Sequence, residues 1–417
     1  MSDLLQMMEP DDLQLVLECG ELAALRGFRS FLVGGAVRDL FLGLVSSDVD
    51  VLVEGDAIAV AQDFARRRNG EVQRHHAFQT ATVTLKDGRR IDFATARSET
   101  YSKPGVLPEI IPGTLEDDLT RRDFTINTMA LALHPDGVGE IFDPCGGEED
   151  IRGARVRFLH EQSFSDDPTR ILRALRFALR LDYEIESRTA AGLRAAAQGE
   201  FLREVSGDRL RRELAKLLTE QPVAGPGALQ EWGLLDSVFP GLEVAPASLA
   251  ALADLAETDD AGELGPWMTL ATLAVPLDPQ ERWDLVRRLK LPREAQLVVI
   301  DSGEPWRLAQ ESLEGLAIEA PPSAVADVLD ALSVEVVVVG AARMRESPLR
   351  DAVLRYLRQH RHLESAMDGA AILALGCADG PAVGEVLKAL RRARIDGTVT
   401  DLTSERALAE RLVRESN

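Results

Sequence analysis

Paired cysteines, clustered positive charge and long apolar runs are what this 417-residue chain has least of. Its three cysteines, Cys19, Cys145 and Cys377, stand alone, with no CxxC and no Cys/His spacing. That excludes a disulfide framework and a structural zinc site, and a reducing, cytoplasmic setting suits the chain best. Lysine and arginine number 47 against 69 acidic residues, a formal net charge of −22. Such a balance argues against a nucleic-acid partner, because phosphate binding rests on clustered basic side chains; only local patches could restore one. The longest apolar run, "VEVVVVG" at 334–340, is strand-sized or core-sized and far short of a bilayer span. The opening "MSDLLQMMEPDD" is acidic where a leader would be basic, so no membrane association is expected. No fixed-period repeat and no low-complexity tract is present.

What is there falls into two textures. "PDDLQLVLECGELAALRG" reads as a helix capped by Asp11 or Asp12 and closed by Gly27. The period then shortens: "FRSFLVGG", "SDVDVLVE", "TATVTLKDG" and "RRIDFATA" predict a sheet over residues 28–96, with "GAVRDLFLG" a helix entered from the glycine turn. From residue 165 the pattern turns helical, through "DPTRILRALRFALRL", "RTAAGLRAAAQ", "GDRLRRELAKLL" and "PGALQEWGLL", with Pro and Gly as punctuation. Gly/Pro clusters such as "DPCGG" and "PVAGPG" suggest boundaries near 145, 220 and 340.

The chemistry concentrates in "FLVGGAVRDLFLGLVSSDVDVLVEGD", residues 31–56. Successive strand residues alternate faces, so Asp48 and Asp50 share one face while Val49 and Val51 turn to the core. Two carboxylates this close repel unless a cation lies between them, and hard oxygen ligands suit Mg²⁺. "SSD" is equally good turn chemistry. The glycines Gly34 and Gly35 let the backbone approach a phosphate chain, and Arg38 adds a forked donor. A phosphate cradle and a metal site so close in sequence form a stronger signal than either alone.

These residues reach a family. "GGAVRDLFLGLVSSDVDVLV" resembles the GGxVRDxxLG…DxD signature of the class II tRNA nucleotidyltransferases, the CCA-adding enzymes and their relatives the bacterial poly(A) polymerases. "LTRRDFTINTMAL" at 119–131 resembles their second motif, and "DDPTRILRALRFALRLDYEIESRT" at 166–189 their base-reading (E/D)DxxR motif. A weaker likeness, "LALGCADGPAVGEVLKAL" at 373–390, is similar to a glycine-containing element near the C-terminus of many members. The resemblance implies an α+β chain: a nucleotidyltransferase (DNA polymerase β-like) α/β head with a small mixed sheet over 1–144, then a helical neck over 145–220, a body over 221–340 and a tail over 341–417. Asp48 and Asp50 would hold Mg²⁺, and Asp92 in "RIDFA" is a candidate third carboxylate, although a solvent-facing Asp on an edge strand is the commoner explanation. Gly34, Gly35 and Arg38 would contact the triphosphate; Arg122, Asp123 and Asn127 would contact the nucleotide, Asp123 accepting from the ribose. For "RRD" alone, a solvated turn is the default.

Asp167, Arg170, Arg173 and Arg176 recur at three-residue helical spacing, which alone describes an amphipathic helix with a basic edge. With the resemblance, Asp167 and Arg170 become a protein template. The carboxylate accepts from the exocyclic amino group of cytosine or adenine, and the guanidinium donates to the ring acceptor beside it. Uracil and guanine reverse both contacts. Arg173 and Arg176 would then face phosphates. "RMRESPLRDAVLRYLRQHRH" at 343–362 and "KALRRAR" at 388–394 supply the local basic patches, with Arg355, Arg358, Arg391 and Arg392 as candidate tRNA contacts; each patch alone is an ordinary solvated helix face. The six histidines form no His-Asp phosphohydrolase signature of the kind some relatives carry.

The leading reading is template-independent addition of C and/or A to tRNA 3′ ends from CTP and ATP. Poly(A) synthesis is the second enzyme reading, and a catalytically silent RNA-binding scaffold the reading from another class. Between "IDFATARSE" and "RRDF" the loop "TYSKPGVLPEIIPGTLEDDL" is proline-rich and lacks a paired-arginine segment, so the choice among CCA, CC and a single A stays open.

Overall fold

The computed structural model describes residues 4–44, 49–100, 109–256, 265–317 and 320–416. It divides into two compact units, Met1–Glu213 with Glu231–Val238, and Leu214–Gln230 with Phe239–Asn417.

The first unit opens with α1 (Pro10–Leu25), β1 (Arg29–Val33), α2 (Gly35–Phe41), β2 (Val49–Glu54) and α3 (Ala57–Arg68). Then come β3 (Glu71–His75), β4 (Thr80–Thr84), β5 (Arg90–Thr95), the hairpin β6 (Arg97–Thr100) and β7 (Glu109–Pro112), α4 (Leu115–Thr120), β8 (Ala130–Ala132) and β9 (Ile141–Phe142). α1 starts differently from the sequence expectation: Glu9 is the capping position and Pro10 the first helical residue, so Asp11 and Asp12 lie inside the first turn. There they still favour the positive end of the helix dipole. Gly27 closes α1 at φ +76°, as expected.

Seven strands form one sheet in the order β3-β4-β5-β2-β1-β8-β9. β2 and β5 run parallel and the other pairs antiparallel, which makes the sheet mixed. The sheet therefore reaches beyond residues 28–96. β3, "EVQRH", is an exposed polar edge, and β8, "ALA", is buried throughout, so neither shows the alternation that betrays a strand.

Each face of the sheet has its own core. Val51, Val83, Ile91 and Phe93 lie under α1 and α3, where the rings of Phe64 and Phe93 are 5.7 Å apart. Each such side chain contributes about 1.5–3 kcal/mol on burial. On the other face Phe31, Val33, Leu52, Ala130 and Ala132 pack with Leu115 and Leu119 of α4. α4 is anchored by a capping box in which the Thr114 side chain accepts from Asp117 N and the Asp117 carboxylate accepts from Thr114 N.

The chain continues through α5 (Gly147–Arg152), β10 (Arg155–Val156), α6 (Ser163–Asp166), α7 (Thr169–Leu181), β11 (Glu184–Ile185), α8 (Ser187–Gln198) and α9 (Gly207–Glu220). α7 buries Ile171, Leu172, Leu175 and Phe177, the apolar stripe expected of it.

Among its described residues the second unit is built of helices. "VEVVVVG" belongs to one of them, Val334–Arg343, started by Ser333, whose hydroxyl accepts from Val336 N. Val336 to Val339 are buried on every side, so the run has no polar face and its period is invisible in the sequence. Gly340 is required there: a Cβ would lie 2.2 Å from the Trp306 ring. Toward the C-terminus Met367, Ile372, Cys377, Val386, Leu390, Ala409 and Val413 form a separate small core.

Candidate active site

The site grows from the turn between β1 and α2. Gly34 adopts φ +72°, ψ −131°, a conformation open only to glycine at low cost. The turn also lies close to two side chains: a Cβ at Gly34 would be 2.8 Å from Arg122 Nη1, the mobile end of a long side chain, and 3.8 Å from Asp50 Oδ2. The glycine turn, Arg122 and Asp50 are thus brought together, as expected for a phosphate cradle beside a carboxylate.

Asp50 is paired in register with Asp92 across the parallel β2–β5 ladder. β5 lies between β4 and β2, so the edge-strand explanation for Asp92 does not hold. Asp92 is exposed, and its Oδ1 accepts from the Thr82 hydroxyl. Val49 and Val51 are buried, as the alternation requires. Asp48 lies outside the described residues, as do residues 101–108 of the proline-rich stretch read as a loop; the rest of that stretch is largely β7 and α4 rather than loop.

Arg38 is 3 % exposed. Its Nε and Nη2 donate to Asp39 Oδ1 (2.9 and 2.7 Å), and Nη1 donates to Asn127 Oδ1 at 2.8 Å. Nη2 also lies 3.5 Å from where a Cβ of Gly35 would be. Asn127 Nδ2 in turn donates to Asp123 Oδ1 at 3.0 Å, and Arg173 donates to Asp123 Oδ2 through Nε at 2.7 Å and Nη2 at 2.5 Å. Arg173 Nη1 stands 3.7 Å from Glu213. A continuous network therefore runs from the glycine turn through Asn127 and Asp123 to α7 and α9. The "RRD" aspartate is buried within it, not in a solvated turn.

Burial by itself would raise the Asp123 carboxyl. The charge of Arg173 and the hydrogen bonds from Asn127 and Arg173 outweigh it and hold the group at about 2. Burial likewise opposes the charge on Arg173, yet Asp123 and Glu213 together raise it. The Phe177 ring lies under three guanidiniums, those of Arg38, Arg173 and Arg176, at 5.2, 5.4 and 4.9 Å.

The stretch around Asp167 and Arg170 differs from the expected stripe in one respect. Asp167 precedes α7 in extended conformation, φ −133°, so only Arg170, Arg173 and Arg176 share the helix. Pro168 is the reason: the residue before a proline is excluded from the helical region. Asp167 Oδ1 accepts from Thr169 N, Thr169 Oγ1 and Arg209 Nη2, at 2.9, 2.6 and 2.7 Å. All three bonds fall on one oxygen. Arg170 is 6 % exposed and donates through Nη1 to Ser163 Oγ and through Nη2 to the Arg121 carbonyl, each within 2.8 Å.

Sequence reasoning missed Asp118, whose buried carboxylate binds both Arg121 and Arg122, and the α9 pair Arg209 and Glu213. The four-residue spacing in "GDRLRRELAKLL" was the available signal, since it puts both α9 side chains on one face.

In the second unit Arg355 and Arg358 are exposed. Arg391 instead pairs with Asp330 and donates to the Leu363 carbonyl, and Arg392 pairs with Asp327 at 2.8 Å. Those two tail arginines tie helix Pro381–Ile395 to Asp327 in helix Pro322–Leu329 and to Asp330 at its C-terminal cap.

Family models match two stretches: one described as the poly A polymerase head domain over residues 30–157, the other as the probable RNA and SrmB-binding site of polymerase A over residues 182–245. An A-adding tRNA nucleotidyltransferase of Geobacter sulfurreducens is 34% identical over 92% of this chain, which spans only 45% of that relative's length. A CC-adding tRNA nucleotidyltransferase of Deinococcus radiodurans is also 34% identical, over 90% of this chain and 87% of its own. The Thermotoga maritima CCA-adding enzyme, solved in complex with tRNA, superposes with a TM-score of 0.74 at 29% identity, covering 99% of this chain and 98% of that one. With the glycine turn, the Asp50/Asp92 pair and this identity over nearly the whole of both chains, the protein belongs to the tRNA nucleotidyltransferase family.

Proposed function

We propose that the chain adds C and/or A to the 3′ end of tRNA from CTP and ATP, releasing pyrophosphate and using no nucleic-acid template. The observation that carries this is the Asp50/Asp92 pair beside the glycine turn and Arg122, two hard-oxygen donors next to a place for a phosphate chain. Among the described residues no group of three His, Cys, Asp or Glu could hold a metal, and Asp48, the remaining ligand of the proposal, lies outside them. The two described carboxylates fit Mg²⁺ by chemistry: charged oxygens, one register position, one strand apart. Asp48, Asp50 and Asp92 would hold Mg²⁺, which when bound supplies Lewis-acid activation of the RNA 3′-hydroxyl and charge neutralisation on the phosphates.

The chain's own residues orient the reaction. The Gly34–Gly35 turn admits the triphosphate, with Arg122 and Arg38 supplying positive charge around it. Asn127 and Asp123 brace Arg38 and Arg173 from behind, and Arg176 adds charge on the same helix. Asp167, with Oδ1 already engaged, accepts the exocyclic amino group through Oδ2, and Arg170 donates to the ring acceptor. For uracil or guanine both contacts become repulsive. Arg355 and Arg358, rather than the ion-paired Arg391 and Arg392, are the tail contacts for tRNA phosphates. The three cysteines are free and no described helix is long and apolar enough to cross a membrane, in keeping with a cytoplasmic enzyme.

The two relatives share one identity value and differ in product, so identity does not choose among CCA, CC and A. The test is incubation with tRNA ending at N73, C74 or C75 and each nucleotide supplied singly. Short additions of C and/or A with pyrophosphate release are expected. Long adenylate tails would favour the poly(A) polymerase reading that the head-domain match also allows. No incorporation under any combination would leave an RNA-binding scaffold.

A further inference from the structure

The head sheet carries a polar row of which only one end takes part in the proposed reaction. Register pairing runs from Asp50 on β2 to Asp92 on β5, from Asp92 to Thr82 on β4, and from Thr82 to Gln73 on β3. Paired residues of adjacent strands share a face. All four therefore lie opposite the face where Val51, Val83, Ile91 and Phe93 pack under α1 and α3.

Thr82 is half-buried, and its hydroxyl donates to Asp92 Oδ1. Among the described residues the Asp92 carboxylate has no other hydrogen-bond partner. A threonine on an interior strand is ordinary in itself, since β-branched residues favour strands. The direction of its single proton is informative. Given to Oδ1, it sets the rotation of the carboxylate and leaves Oδ2 uncommitted. Thr80 and Thr84 sit on the same strand and the same face, but they pair with Ala94 and Arg90. Of the three threonines, only Thr82 stands opposite a carboxylate of β5; Thr84 faces Glu71 across the β3–β4 pair, away from Asp50.

We propose that Thr82 is a positioning residue: its hydroxyl holds the Asp92 carboxylate in the orientation in which, with Asp50, it takes up a divalent cation. Metal affinity then depends on a side chain that touches neither substrate nor metal. The proposal rests on the reading of Asp50 and Asp92 as metal ligands. Hydrogen-bonding partners of ligating carboxylates commonly govern affinity by about 10- to 100-fold.

The test is Mn²⁺ binding followed by electron paramagnetic resonance on the full chain without nucleotide, paired with nucleotide addition across a Mg²⁺ series. The variants are Thr82→Val, Thr82→Ser, Thr84→Val and Asp92→Asn. Thr82→Val, which keeps the shape and removes the proton, is expected to weaken Mn²⁺ binding about 10-fold and to raise the Mg²⁺ needed for half-maximal rate alike. The KM for CTP at saturating Mg²⁺ should stay unchanged. Thr82→Ser is expected to restore both metal readouts, and Thr84→Val to match the unaltered protein. Normal Mn²⁺ affinity in Thr82→Val alongside loss in Asp92→Asn overturns the proposal while leaving Asp92 a ligand. Equal losses in Thr82→Ser and Thr82→Val also overturn it, returning Thr82 to a packing role. Normal affinity in Asp92→Asn removes the underlying reading of Asp92 and the proposal with it.

Discussion

The arginines of α7 and those of the C-terminal helices look alike in sequence, as basic residues at helical spacing, and the protein uses them in opposite ways. Arg170 is buried, and Arg173 is three-quarters covered with Asp123 and Glu213 as partners. Arg391 is covered to a similar extent, but it and Arg392 pair with carboxylates that are themselves partly exposed, Asp330 and Asp327, whereas Asp123 is buried; Arg355 and Arg358 stand exposed. A buried guanidinium is held in one orientation by its hydrogen bonds, so it can serve as part of a template. An exposed one works through charge and is screened by salt.

The sharpest way to break that comparison is one substitution made in both regions. Arg173→Ala leaves the buried Asp123 charge without its main partner and should cost about 3–5 kcal/mol of stability in chemical denaturation. Arg392→Ala, at the half-exposed pair with Asp327, should cost at most about 1 kcal/mol. Similar values for the two would erase the distinction.

Next in size is base selection. Asp167→Ala should lower the kcat/KM preference for CTP over UTP by about two to three decades, or roughly 2–4 kcal/mol, because charge-assisted hydrogen bonds to the base are removed. Single-nucleotide incorporation with all four triphosphates checks this. Arg209→Ala, which removes one of the three hydrogen bonds to Asp167 Oδ1, should move selectivity in the same direction but less. Unchanged selectivity in Asp167→Ala would reduce the start of α7 to a structural cap.

The acid limb of stability follows. Asp123 is held at about 2, below its ordinary 3.8. A depressed carboxylate contributes stability that is fully present above the unfolded value and lost as pH falls through the folded one. The window is therefore pH 4 down to 2, and the contribution about 2 kcal/mol. Asp123→Asn should flatten stability against pH in that window. The same slope in variant and parent would show that other carboxylates carry the acid transition.

The smallest effect belongs to the tail surface. Arg355→Ala with Arg358→Ala should reduce the salt slope of tRNA binding by about one unit for each phosphate left without its guanidinium, with CTP affinity unchanged. An unaltered slope would make those arginines ordinary solvated surface.

Local chemistry was enough to mark most of the candidate site. The glycine turn, the alternation around Asp50 and the amphipathic stripe of α7 are properties of neighbouring residues, and period and turn chemistry reveal them. β3 and β8 were illegible because one is polar and exposed and the other wholly buried, so neither alternates. The valine run at 334–340 was ambiguous for the same reason, since burial on all sides suits a core strand as well as a core helix, and only the tertiary structure shows it within helix Val334–Arg343. Asp92 could be named from its strand, but its place beside Asp50 comes from a parallel pairing between strands 42 residues apart. The fate of the arginines was least visible. Whether a guanidinium meets Asp123, Asp330 or water depends on which distant carboxylate the fold delivers to it, and residue order along one helix does not contain that information.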